Sequence, residues 1–275
     1  MNEATLDELH FVRQLVRDQS GMVLTEDKEY LIVSKMRSLA RRRQCSSLTD
    51  LVKQLRDPAS TDLRRAMIEE ILVGETCFFR DVHPFEALRN VILPELIRDA
   101  AEEKKLNLWC AATSTGQEPY SLAILLTEVL PDLSRWSVSL LATDLSDTKL
   151  DQARAGLYSD FEMARGMTEP LRSRCFHHEP EGWRVRDSLR KRVTFTRMNL
   201  IGDWPNLPKM DLVLLRNVLI YFDTVMRTAI MQKLRKVIRP NGYLLLGTSE
   251  TLVEEVIGFK PIRLGSTTLY RRVSD

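Results

Sequence analysis

The sequence predicts an α/β protein in which an all-helical N-terminal domain precedes a doubly wound, mostly parallel sheet carrying a small antiparallel β-subdomain. Three observations predict it. Before residue 75 the apolar spacing is helical and no strand alternation occurs. From Leu106 onward, apolar runs of strand length alternate with stretches of helix length, the pattern of a parallel sheet covered on both faces. Between Cys175 and Phe195 the texture changes to short alternating runs around Pro180 and Gly182, which reads as a hairpin.

The elements follow in order. Thr5-x-x-Glu8 is a capping box that opens the first helix. Thr25, followed by Glu26 and Asp27, opens a second, from about Glu26 to Arg43. Ser47-x-x-Asp50 opens a third with Asp in place of Glu, and Asp57-Pro58 stops it. A fourth runs from about Asp62 to Val73 and ends at Gly74. The helical domain is therefore expected over 1–75, with a linker over 76–91 and the sheet domain over 92–275. In that domain LNLWCA is a strand and EPYSLAILLTEVL a helix; WSVSLLATD and SDTKLDQARAG repeat the pair. KRVTFTRMNL is the third strand, MDLVLLRN the fourth, TVMRTAIMQKLRKVI a helix and GYLLLGTSE the fifth strand. TTLYRRV is expected to close the chain as an edge strand, and the inserted subdomain to span about 173–195.

Composition narrows the function classes. With 44% hydrophobic and 28% charged residues the chain is an ordinary globular protein. It has no apolar run of membrane-spanning length. The N-terminus, MNEATLDELHF, lacks a basic segment followed by an apolar one, so a cytoplasmic protein without membrane insertion is expected. Cys45, Cys77, Cys110 and Cys175 form no C-x-x-C pair and read as reduced thiols. His177 and His178, near Cys175, would point to opposite faces of a strand, so no metal is expected. A net charge of +2 makes no case for nucleic acid.

The chemistry is expected at the turn in LWCAATSTGQEPYSLAILL, Leu108 to Leu126. Ligands of doubly wound sheets bind at the carboxyl ends of the strands, and a dinucleotide turn carries three glycines to approach a pyrophosphate. This turn has only Gly116, and Glu118 follows at the helix start, where a carboxylate repels phosphate and welcomes an ammonium or hydroxyl. A nucleoside with an amino-acid tail fits, and S-adenosylmethionine is one. Asp144, ending the second strand, is placed to accept ribose hydroxyls; the same residue type is also common as a helix N-cap.

ETCFFRD (Glu75 to Asp81), AATSTGQEPYSLA, ATDLS, MNL (Met198 to Leu200) and RNVLIYF (Arg216 to Phe222) occur in the order seen in the chemotaxis receptor methyltransferase (CheR) family, and the chain resembles that family over almost its whole length. The resemblance implies a class I methyltransferase fold and methyl transfer from S-adenosylmethionine to glutamate side chains of chemoreceptor cytoplasmic helices, leaving S-adenosylhomocysteine. It implies that Thr76 and Arg80 line the cofactor and active site, that Glu118 lies near the methionine portion, Asp144 at the ribose and Asn199-Leu200 beside the adenine. Arg216-Asn217 would close the pocket near the methionine tail, and Tyr221 would face the reacting centre beside Arg80. Members of the family often carry Asn where this chain has Gly74. Core packing accounts for Phe78 and Phe79 but not for Arg80 directly after them.

From Lys35 to Arg43 there are five basic residues, Lys35, Arg37, Arg41, Arg42 and Arg43, and no acid. Arg37 and Arg41 share a helix face. The stretch reads as a solvated face or as a docking surface for acidic receptor helices, used together with the active-site cleft. The subdomain connection HHEPEGWR is short, with a single glycine and a proline, so a tethering pentapeptide of the kind some family members bind is not expected, and a monomer is. The rival readings are a methyltransferase for another protein or a small carboxylate, and a sensory protein that binds S-adenosylmethionine without turnover. Retention of Arg80 and Tyr221 argues against the last, and the absence of G-x-G-x-x-G against a nicotinamide dehydrogenase.

Overall fold

The computed structural model describes residues 4–72, 74–130, 132–252 and 258–273. The chain forms two compact units, one of residues 1–73 with 220–227 and one of residues 74–219 with 228–275.

The first unit is helical. Thr5 caps α1 (Leu6–Ser20) through the expected box: its hydroxyl accepts the Glu8 N–H at 3.3 Å, and the Glu8 carboxylate accepts the Thr5 N–H at 2.8 Å. Gly21, at φ 75°, ends the helix. A separate 3-10 turn, Glu26–Lys28, precedes α2 (Glu29–Arg42), where a single helix from Glu26 was expected. The Ser47 hydroxyl accepts the Asp50 N–H at the start of α3 (Leu48–Arg56), and α4 (Thr61–Ile71) follows. The end expected at Val73 lies outside the described residues. Val12, Val16, Ile32, Met36, Leu39, Leu48, Leu51, Leu55 and Met67 are buried, one stripe from each helix. Residues 220–227 join this unit through a Val23 N–H bond to the Tyr221 carbonyl (2.8 Å) and an Arg17–Asp223 ion pair (2.8 Å).

The second unit begins with α5 (His83–Ala87) and α6 (Leu93–Asp99), joined by a π-helical turn at Leu88–Ile92. Much of the expected linker 76–91 is therefore helix. Pro84 sits in the first turn of α5, where a missing N–H costs nothing, and Pro94 follows the π-helical turn within one continuous helical backbone.

The sheet domain then runs β1 (Lys105–Ala111), α7 (Gln117–Val129), β2 (Ser137–Asp144), α8 (Asp147–Ala155), β3 (Leu157–Tyr158), α9 (Asp160–Ala164), α10 (Glu169–Cys175), β4 (Phe176–Glu179), β5 (Gly182–Val185), α11 (Asp187–Arg190), β6 (Val193–Arg197), β7 (Met210–Leu215), α12 (Thr224–Val237), β8 (Ile238–Leu246), β9 (Phe259–Leu264) and β10 (Thr267–Arg272). The main sheet has the order β6-β2-β1-β7-β8-β10-β9. Its first five strands are parallel, and β10 and β9 are antiparallel additions. Strand order reverses between β1 and β7, the switch point where doubly wound sheets bind ligands. Leu106, Leu108, Cys110, Leu140, Ala142, Leu212 and Leu214 form the core, with α7 buried at every residue from Pro119 to Leu126.

Two expectations are corrected. β10 is not the edge strand: it lies between β8 and β9, and β9 is the edge. Pro261 disguised β9, and a proline is tolerated in an edge strand because an edge N–H needs no ladder partner. The inserted subdomain begins at Leu157, not at about 173. Its sheet has the order β3-β5-β4, and Val193–Phe195 belong to the main sheet in β6. A two-residue strand such as β3 is too short to show alternation. The hairpin itself is as expected, with Pro180 and Glu181 between the paired Glu179 and Gly182.

Candidate functional site

The turn after β1 is held in an unusual backbone conformation. Ala112 (φ 55°), Ser114 (φ 51°) and Gly116 (φ 96°) alternate in the left-handed region. The two non-glycine residues each cost about 1–2 kcal/mol there, and such outliers cluster at binding turns. Gly116 has no alternative: a Cβ would lie 2.8 Å from the Ala153 Cβ and 3.0 Å from the Tyr158 hydroxyl. The turn is pinned by Thr113 N–H to the Thr143 carbonyl (2.8 Å), Ser114 N–H to Asp144 Oδ2 (2.7 Å), and the Tyr158 hydroxyl to the Thr115 carbonyl (2.8 Å).

Asp144 is the junction of three segments. Its Oδ1 accepts the Ser146 N–H at 2.9 Å, and its own carbonyl accepts the Met198 N–H at 2.9 Å. It is buried at the carboxyl end of β2. The capping role left open by the sequence is filled by Ser146, whose hydroxyl accepts the Lys149 N–H at the start of α8. Each Asp144 oxygen receives one of these backbone bonds, and a carboxylate oxygen has a second acceptor site. The Met198 bond brings Asn199 and Leu200 beside this turn; the Asn199 side-chain oxygen accepts the Ile201 N–H at 3.2 Å, and Leu200 is buried.

A second junction forms at the end of β7. The Arg216 side chain is 1% exposed and reaches Glu118 Oε2 (3.2 Å), Asp81 Oδ2 (2.7 Å) and the Arg80 carbonyl (3.0 Å), with its guanidinium over the Phe85 ring. Thr248 Oγ1 donates to the same Asp81 oxygen at 2.8 Å. Burial pushes the Glu118 carboxyl above its usual value, and the Arg216 guanidinium beside it holds it back. Glu118 is thus already paired, where the sequence suggested a carboxylate waiting for an ammonium. Asn217 (φ 58°) follows. Its N–H, with those of Val218 and Gly247, converges on the buried Glu250 carboxylate at 2.6, 2.7 and 2.8 Å. A Cβ at Gly247 would lie 2.7 Å from Glu250 and 2.8 Å from the Asn217 nitrogen, so no side chain fits. Asn217 Oδ1 is buried without a hydrogen-bond partner.

The Thr76–Asp81 segment meets these junctions. Phe78 packs edge-on against Tyr158 and Phe176, and Phe79 against Phe85. The Phe79 N–H donates to the Ser121 hydroxyl at 2.9 Å. Phe79, Asp81 and Val82 all have positive φ, and a β-branched residue such as Val82 is an outlier there. Thr76 and Arg80 are half-buried, and Arg80 Nη1 donates to the Glu75 carbonyl at 3.0 Å. At Gly74 a Cβ would lie 2.6 Å from the Lys149 Cε, the far end of a flexible side chain, so a side chain there needs that lysine to move. The Gly74 carbonyl accepts the Ser114 hydroxyl at 2.8 Å.

The structure thus brings Thr76, Arg80, Glu118, Asp144, Asn199, Leu200, Arg216 and Asn217 into one unit, on segments that follow or adjoin the carboxyl ends of β1, β2, β6 and β7. Tyr221 groups with the helical unit. In that unit Arg37, Arg41 and Arg42 line a groove of about 720 Å³ with Tyr30 and Val33, whereas Lys35 and Arg43 are not among its lining residues. Arg42 is ion-paired with Glu70. Sequence reasoning missed Asp81 and Glu250 as organisers. Asp81 stood inside a quoted motif and Glu250 just past a strand end, the two signals that could have found them. Among the described residues no cluster of three His, Cys, Asp or Glu could hold a metal ion.

The residues fit a nucleoside with an amino-acid tail: buried acceptors at Asp144 and Asn217 Oδ1, a tight turn of small residues, and the half-buried Arg80. Comparison with known proteins points the same way. Residues 7–72 match the family described as CheR methyltransferase, all-alpha domain, and residues 74–267 the one described as CheR methyltransferase, SAM binding domain. The chain is 36% identical to chemotaxis protein methyltransferase 1 of Vibrio cholerae over 94% of each chain. It is 35% identical to chemotaxis protein methyltransferase 1 of Pseudomonas aeruginosa, covering 98% of this chain and 99% of that one. It is also 35% identical to chemotaxis protein methyltransferase Cher2 of Pseudomonas putida, over 92% of each.

Proposed function

Since the chain belongs to the CheR family of chemotaxis methyltransferases, we propose that it transfers a methyl group from S-adenosylmethionine to glutamate side chains of chemoreceptor cytoplasmic helices, working in the cytoplasm as a protein-glutamate O-methyltransferase. The observation that carries this reading is the Arg216 junction. One buried guanidinium joins the turn after β1, through Glu118, to the backbone of Arg80 and the carboxylate of Asp81, so cofactor turn and reacting edge are built as one piece.

S-adenosylmethionine supplies a methyl group made electrophilic by a sulfonium. Asp144 accepts the ribose hydroxyls, Asn199 and Leu200 flank the adenine, and Thr76, Glu118, Arg216 and Asn217 line the methionine end. Asn217 Oδ1, buried and unpartnered, suits the tail ammonium. The acceptor needs no general base, because a glutamate carboxylate with a pKa of about 4.3 is ionised at neutral pH. What the chain supplies is alignment, which can be worth ~7–11 kcal/mol, and a site from which water is excluded. Arg80 holds the incoming carboxylate by a charge-assisted bond after leaving the Glu75 carbonyl. Tyr221 orients the acceptor and transfers no proton. The groove beside Arg37 and Arg41 recruits the acidic receptor helix.

The test is incubation with methyl-labelled S-adenosylmethionine and a receptor cytoplasmic fragment. Label should enter the fragment and be lost when its acceptor glutamates are replaced by alanine. Label that persists in the alanine fragment contradicts the proposal.

A further inference from the structure

In the loop that follows β6, three consecutive carbonyls point at one ammonium. Lys233, on α12, donates to the carbonyls of Leu200 (3.4 Å), Ile201 (3.0 Å) and Gly202 (2.6 Å). An ammonium has three donors and no acceptor, so it can serve all three carbonyls at once. The same nitrogen lies 5.5 Å from the centroid of the Trp204 ring, whose indole N–H donates to the Leu200 carbonyl at 3.2 Å. Trp204 packs edge-on against Trp109, which is fully buried in β1. At its other end the loop is tied to β2 by the Met198 bond to Asp144. Asn199 lies between these two anchors, and Leu200 is held by its own carbonyl at the second.

Three carbonyl dipoles turned to one point repel one another unless a cation stands there. Without Lys233 the peptides of residues 200–202 have a reason to rotate, and Asn199 and Leu200 rotate with them. We propose that Lys233 is a positioning residue for the adenosine end of the cofactor site. It fixes the loop from behind and does not touch the ligand. This rests on the reading of Asn199 and Leu200 as the adenine-flanking pair.

The experiment is calorimetric titration of the full chain, wild type, K233M and K233R, with S-adenosylhomocysteine and with 5′-methylthioadenosine, which lacks the amino-acid tail. K233M, checked for folding by its melting curve, should lose about tenfold in affinity for both ligands by the same factor, the order expected when one charged hydrogen-bonding group is lost. K233R, which keeps a cationic donor, should stay within about threefold of wild type. A structural role alone would lower the melting temperature and leave the affinity of folded protein unchanged. Unchanged affinity in K233M, or a loss for S-adenosylhomocysteine alone, overturns the inference while wild-type binding keeps the adenosine reading. Wild-type protein that binds neither ligand overturns both. Should K233M not fold, K233Q, which keeps a polar donor without the charge, is titrated in its place: a loss for both ligands upholds the inference, and unchanged affinity overturns it.

Discussion

Replacing Arg216 by methionine removes the charge while keeping a long side chain in the same space. Two ion pairs and a bond to the Arg80 carbonyl are lost, all from a side chain 1% exposed. Breaking a buried pair costs about 3–5 kcal/mol because the remaining charge is stranded. Asp81 is one-third exposed and keeps its bond from Thr248, so most of the cost falls on Glu118, whose side chain is only 12% exposed. We therefore expect about 3 kcal/mol of destabilisation, or on the order of 6–12 °C in the melting temperature of the sheet unit. The pH dependence has a definite sign. Burial already raises the Glu118 carboxyl, and Arg216 is the largest influence opposing it, so the variant raises it further. A carboxyl whose folded value lies above its unfolded value binds more protons when folded, and stability falls as pH rises through that window. The deficit of R216M relative to wild type should be small near pH 5 and largest near pH 8, and adding E118Q should recover part of it at pH 8. Urea unfolding of the three proteins across that range is the assay. A deficit below about 1 kcal/mol, or one independent of pH, would refute the view of Arg216 as the buried counter-charge.

Four further outcomes are expected. D144A should weaken S-adenosylhomocysteine binding by ~1.5–3 kcal/mol in a folded protein; unchanged calorimetric affinity would remove Asp144 from the site. R80A should lower single-turnover methylation at saturating cofactor far more than Y221F, since the first loses the carboxylate clamp and the second one hydroxyl; near-normal turnover by R80A would end the clamp assignment. The double variant R37E/R41E should slow receptor methylation at low receptor without changing cofactor affinity, and the wild-type rate should fall with salt, because exposed charges are screened over ~10 Å at 0.1 M; insensitivity to both would place docking elsewhere. Aromatic-ended pentapeptides should not bind at micromolar concentration, and a complex abolished by hairpin substitutions at His177 or Arg184 would reverse that expectation.

Much of the architecture was legible because it is written in periodicity. Helical stripes in the first unit and apolar runs such as LNLWCA and MDLVLL mark elements whose burial is one-sided or complete. What was illegible had its signal cancelled locally: Pro84 stood at the start of an unexpected helix, Pro261 masked an edge strand, and Leu157–Tyr158 was too short to alternate. The candidate site divides in the same way. Asp144 and Glu118 could be picked out by residue type and position at strand and helix ends. Arg216 could be chosen only through the family resemblance, and its pairing with Glu118 and Asp81 spans 98 and 135 residues, which no local pattern encodes. The convergence of three amides on Glu250 is likewise a property of the folded backbone. The proximity of Gly74 to Lys149 required coordinates, since the two are 75 residues apart in the chain.

The central claim is that the product is a glutamate methyl ester, and its chemistry offers a direct measurement. Receptor fragment labelled by this protein from methyl-labelled S-adenosylmethionine should release volatile labelled methanol under mild alkali, in amount equal to the label incorporated. Label that stays on the fragment through alkaline treatment would mean that methyl had gone to nitrogen or another stable position, and would contradict the account.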